Sequence, residues 1–159
     1  MEQEKESILD FLRSVDLFSD LDDRALQELS NLFIENKFKQ GETIFDEGSM
    51  GNSMMIITAG EVRVSQTPNP DTEETLIVLK KGDFFGEMAV LENLPRSATA
   101  IAHEDVVLVE IDQVHFMKFI ELNSSSGIKI LVKLARIMSA RLREADIKLK
   151  TFTDLTKWI

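Results

Sequence analysis

The 159-residue sequence contains no cysteine. That excludes a disulfide framework, a thiolate zinc site and a cysteine nucleophile. Histidine is scarce too. His103 and His115 stand apart, one ending a strand pattern and one in a helical pattern, and leave little for a metal centre. No metal is expected. No stretch approaches the roughly 18 uninterrupted apolar residues that a membrane span needs. The opening MEQEKESILDFL carries acidic residues where a secretory signal needs a basic region, so the expected location is the cytoplasm. Basic charge is in deficit, with 18 Lys and Arg against 28 Asp and Glu, a net charge of −10. That balance argues against direct nucleic-acid binding, which rests on clustered positive charge.

What remains is an ordinary globular composition, 43% hydrophobic and 29% charged. The length suits one domain that buries roughly two-thirds of its unfolded surface. The charge is unevenly placed. Residues 1–128 hold 10 basic and 25 acidic side chains, whereas 129–159 hold 8 basic and 3 acidic, a net of +5. The basic end reads either as a solvated helix face or as a surface for a partner.

Residues 1–40 read as a helical segment. Ile8, Leu9, Leu12 and Val15 recur at helical spacing, and Asp20 or Asp22 can cap a second helix bearing Ala25, Leu26, Leu29, Leu32 and Phe33. Residues 41–111 turn to short β-branched segments punctuated by glycine: ETIFDE, SMMIITA, EVRVSQ, TLIVLK, SATAIAH and VVLVEI. QTPNPDTEE, with two prolines, reads as a hairpin loop. Many short strands without long intervening helices predict a mainly β fold, a jelly-roll β-barrel with flanking helices. Met50, Met54 and Met55 read as core packing. Residues 112–150 return to helix. Asp112 is a plausible cap, and a long helix from about Ser126 to Lys150, some 37 Å at 1.5 Å per residue, carries an apolar stripe through Leu131, Leu134, Met138, Leu142, Ala145 and Leu149. Residues 151–159 form a tail holding the sole tryptophan, Trp158. It can stack on a ligand, dock on a partner or pack on the barrel.

The informative stretch is GDFFGEMAVLENLPRSATA, residues 82–100. A phenylalanine pair precedes Gly86-Glu87, then comes a short apolar helical run, then Pro95-Arg96-Ser97-Ala98-Thr99. Arginine at such a site suits a phosphate, because its planar fork donates parallel hydrogen bonds and stays charged. An ionised carboxylate only accepts hydrogen bonds, which suits a sugar hydroxyl. The stretch resembles the phosphate-binding cassette, here residues 84–99, of the cyclic nucleotide-binding domain family. Gly41, Gly48, Gly51 and Gly60 match that family's glycine-punctuated first strands, and the likeness extends over roughly residues 15 to 150.

The resemblance implies a cyclic nucleotide ligand, cAMP before cGMP, with Glu87 on the ribose 2′-hydroxyl and Arg96 on the cyclic phosphate. Gly86 and Ala89 would offer backbone amides and Ser97 a hydroxyl near phosphate or base. Phe85, Met88 and Ala98 complete the expected lining. On the long helix the adenine-reading pair of the bacterial activators aligns with Ala145 and Asp146. Asp146 can accept from an exocyclic amine, which leaves adenine and guanine both open. The family also implies a homodimer through residues 128–149. Only about ten residues follow Lys150, so no helix-turn-helix is expected, and the output passes to an unidentified effector protein. No catalytic constellation is visible, so the expected role is a sensor and not an enzyme. The alternative is a scaffold that keeps the cassette for shape and binds no ligand.

Overall fold

A computed structural model describes residues 2–69 and 72–156. Trp158 lies outside them. The chain opens with α1 (Glu2–Ser14), a 3-10 turn (Asp16–Phe18) and α2 (Asp23–Ser30). Of the two candidate caps it is Asp22 that serves. Its Oδ1 accepts the Ala25 amide at 2.8 Å, and satisfying that otherwise unpaired N–H starts α2.

Then follow β1 (Ile34–Phe38), β2 (Thr43–Phe45), β3 (Ser53–Ala59), β4 (Val62–Asn69), β5 (Thr72–Leu79) and β6 (Phe84–Phe85). After them come α3 (Glu87–Glu92), β7 (Thr99–Ala102), β8 (Val106–Asp112), α4 (Gln113–Leu122) and α5 (Ser124–Thr156). The described strands make two antiparallel four-stranded sheets, ordered β1-β8-β3-β6 and β2-β7-β4-β5. The result is a jelly-roll-like sandwich flanked by helices, and it does not close into a barrel.

Four local expectations are corrected. Residues 34–38, read as helical, form β1 and pair with β8 from Ile34↔Glu110 to Phe38↔Val106. A partner strand far along the chain decides this, which local periodicity does not register. The expected loop around QTPNPDTEE is mostly ladder, with Gln66 opposite Glu74 and Asn69 opposite Thr72 across a register shift. Helix α5 runs on to Thr156, so residues 151–156 are not an irregular tail. Met50 is 70% exposed, whereas Met54 and Met55 are buried.

The sequence of β3 explains the layering. Successive strand side chains point to opposite faces. Met54 and Ile56 join the core under the helices, and Met55 and Ile57 join the core between the sheets. Both faces are covered, which is why SMMIITA is a continuous apolar run. Each such fully buried side chain contributes roughly 1.5–3 kcal/mol.

Helix α4 starts at Asp112, whose Oδ1 accepts the His115 amide at 2.9 Å. That hydrogen bond, above all, holds the Asp112 carboxyl below the usual carboxylate range. Gly127, in the first turn of α5, marks the close approach of α5 to α4. A Cβ there would meet Ile120 Cγ2 at 2.8 Å and the Ile120 carbonyl at 2.9 Å, so the close crossing needs glycine. Ile130 and Leu134 anchor the first half of α5 in the core. Lys133 pairs with Asp16 at 2.9 Å. From Ser139 to Thr153 every side chain except Arg141 is exposed. No helix among the described residues is long and apolar enough to cross a membrane.

Candidate functional site

The two-residue strand β6 pairs with β3 and brings the chain beside the β3 backbone. Gly86, at φ 78°, then reverses the chain into α3, a turn that glycine makes without a Cβ penalty. Glu87, Ala89 and Val90 are the buried side chains of α3. Asn93, at φ 55°, ends the helix. The far end of the cassette is clamped to the β2–β3 loop: the Arg96 amide donates to the Ser49 carbonyl and the Gly48 amide to the Arg96 carbonyl, both at 2.8 Å.

Arg96 turns inward from that clamp and is only 7% exposed. Its Nη1 donates to the carbonyls of Ser53 at 2.9 Å and Gly86 at 3.1 Å, and its Nη2 to Ser53 Oγ at 3.2 Å. The guanidinium lies over the Phe45 ring, 4.1 Å from its centroid. Gly51 leaves room for it, since a Cβ there would fall 2.1 Å from Arg96 Nε. Nε is buried with no hydrogen-bond partner among the described residues. Burial pulls the Arg96 pKa down, and the charges of Glu110 and Glu87 oppose that shift. Arginine nevertheless stays charged.

Glu87 is 9% exposed, and its Oε1 lies 3.6 Å from Arg141 Nη1. Arg141 reaches down from α5, donates from Nη2 to the Phe84 carbonyl at 3.0 Å and covers the Phe84 ring at 4.5 Å. This set fastens the exposed half of α5 to the cassette.

Between them lies a cavity of about 1110 Å³, ample for a small-molecule ligand. Phe85, Gly86, Glu87, Met88, Ala89, Arg96, Ser97 and Ala98 all border it. Asp146 does not. The cavity side of α5 runs through Met138, Leu142, Ala145 and Leu149, and a step of one residue carries Asp146 about 100° around the helix. Glu144 and Lys148 border the cavity instead. Sequence reasoning did not single out Phe45, Ser53, Arg141 or Phe152. Arg141 had a signal available, because it stands three residues from Met138 and four from Ala145 on the apolar stripe. The remaining walls are mostly apolar, from Leu76, Ile77 and Leu79 on β5 and Phe152 on α5, with Glu74 and Ser139 also at their edges. A buried cation with free N–H groups, a buried acceptor beside it and apolar walls beyond suit a ligand that is anionic at one end. Such a ligand would carry a hydroxyl near the anion and a flat, weakly polar body.

The family model of the cyclic nucleotide-binding domain matches residues 35–123, and the chain belongs to that family. It is similar to the cyclic AMP receptor protein of Thermus thermophilus, 32% identical over 133 residues, which are 84% of this chain and 60% of that protein. The crystal structure of the Thermus thermophilus catabolite activator protein superposes with a TM-score of 0.77 at 30% identity, covering 87% of this chain and 63% of that one. A cGMP-dependent protein kinase of Drosophila melanogaster, isozyme 2 forms cD5/T2, is 36% identical over 114 residues, 70% of this chain but 12% of the kinase. This chain therefore corresponds to a part of each of these relatives.

Proposed function

We propose that the protein is a regulatory sensor that binds a cyclic mononucleotide and passes the signal to a partner protein through α5, with no catalysis of its own. The observation that carries this reading is Arg96: a buried guanidinium with an unpartnered Nε at the wall of a cavity that also holds buried Glu87. Leaving a charge so placed without a counter-ion is costly, and an anionic ligand removes that cost. Arg96 takes the cyclic phosphate, Glu87 the ribose 2′-hydroxyl, and Ser97 a position beside phosphate or base. The base lies toward the apolar walls and α5. We favour cAMP over cGMP, although relatives named for each nucleotide are similarly close to this chain.

The acidic body repels an anion at long range, so recognition depends on these short contacts, with little steering from afar. Titration calorimetry with cAMP and cGMP is the decisive test. A saturable heat with either nucleotide is the expected result. No heat at millimolar concentration would leave the scaffold reading in its place.

The sensor also works as a homodimer through α5 in this proposal. Ile128, Val132, Leu142 and Leu149 are 44–72% exposed on that helix, more apolar surface than a solitary helix face needs. Light scattering is expected to give twice the chain mass. A monomer with and without nucleotide would end the dimer proposal.

A further inference from the structure

We propose that Ser53 is a positioning residue for the anion site: it turns the guanidinium of Arg96 so that one edge, Nε with Nη2, meets the phosphate. The inference rests on the cyclic nucleotide reading above. A guanidinium carries five N–H donors in one plane. Three of them are already directed, two from Nη1 to the Ser53 and Gly86 carbonyls and one from Nη2 to Ser53 Oγ. The two that remain, on Nε and Nη2, lie side by side and match two oxygens of one anion.

Ser53 supplies two of the three anchors, one from its backbone and one from its side chain. It is 4% exposed, and the β-ladder pairs it with Asp112. The Phe45 ring and the bare Cα of Gly51 press on the guanidinium and set its plane. Within that plane, the hydrogen bonds that set its direction among the described residues go to Ser53 and Gly86. The chemistry of the anchor matters as well. Among the described residues no carboxylate oxygen comes within 4.0 Å of Arg96. A neutral hydroxyl therefore orients the arginine without neutralising it, and its full charge stays available to the ligand. An aspartate at position 53 would orient the side chain and spend the charge.

The test compares the unaltered protein with Ser53→Ala and Ser53→Thr by titration with cAMP and cGMP. Each ligand-free protein is also melted, and the Arg96 Nε–H resonance is followed by nuclear magnetic resonance. Ser53→Ala should raise Kd at least about tenfold, as expected for loss of a hydrogen bond to a charged group. The ligand-free melting temperature should fall by only a few degrees, because the substitution removes one buried hydroxyl and leaves the packing around it in place. The Arg96 Nε–H resonance should shift in the ligand-free alanine variant, and threonine should restore both affinity and resonance. An unchanged Kd in Ser53→Ala would overturn the inference. So would a loss of affinity that only tracks a fall in melting temperature with the resonance unmoved. If the unaltered protein binds neither nucleotide, the ligand reading fails first and the inference with it.

Discussion

Replacing Arg96 with glutamate should abolish the thermal stabilisation that cyclic nucleotide gives the unaltered protein. A ligand at about a thousand times its Kd stabilises the folded state by roughly 4 kcal/mol. For a domain of this size that is a rise in melting temperature of about 10 °C. In Arg96→Glu the rise should be zero at the same concentration. Two effects add. The donors that would meet the phosphate are gone, and a carboxylate now sits among Glu87, Glu110 and the carbonyls of Ser53 and Gly86 that Arg96 had served. Unpaired carbonyls and like charge in a buried place also lower the stability of the ligand-free protein. Thermal melts with and without nucleotide measure both effects, and circular dichroism checks that the variant folds. A shift retained in Arg96→Glu would place the anion elsewhere.

The second large effect lies away from the site. Phe18, in the turn between α1 and α2, is fully buried and meets Phe33 edge-on with ring centroids 6.2 Å apart. It belongs to the same core as Ile130 and Leu134 of α5. Phe18→Ala should cost about 3–5 kcal/mol through lost contacts and the cavity left behind. That is about 10 °C in melting temperature. Hydrogen exchange should show α2 and the first half of α5 losing protection together, because one cluster holds both. Denaturant unfolding gives the energy directly. A loss below about 1 kcal/mol would mean that α5 is not seated on this turn.

The cassette was legible in the sequence because its chemistry is local. Gly86, Glu87, Arg96 and Ser97 sit within one short stretch, and the types needed for an anion and a hydroxyl are unusual enough to stand out. Strands with alternating or continuous apolar patterns, such as SMMIITA, were legible for the same reason. Strand β1 was not. IENKF has too little pattern to be separated from the helices before it, and its pairing with β8 spans about seventy residues. The β4–β5 hairpin was legible except for its outer rungs, hidden by turn-forming residues that the ladder tolerates beside register shifts. On α5 the stripe was visible, but the angular position of each residue was not. Hence the sequence alone points to Asp146 at the site and groups Arg141 with the basic end, whereas Arg141 and not Asp146 borders the cavity. Ser53 carried no signal at all, since nothing local distinguishes a serine that serves an arginine forty-three residues away.

The seating of α5 at Ile130 and Leu134 gives it the property of a lever. Those side chains hold its first half in the core, and its exposed half, from Ser139 onward, is tied to the sandwich at Arg141. From Leu134 to Phe152 a rigid helix extends about 27 Å, so a tilt of only about 10° at Leu134 would carry its end through roughly 5 Å. The tie sits between pivot and tip, on the same carboxylate that borders the cavity. A displacement of an ångström or two where Arg141 meets Glu87 would thus arrive at the far end magnified about two- to threefold.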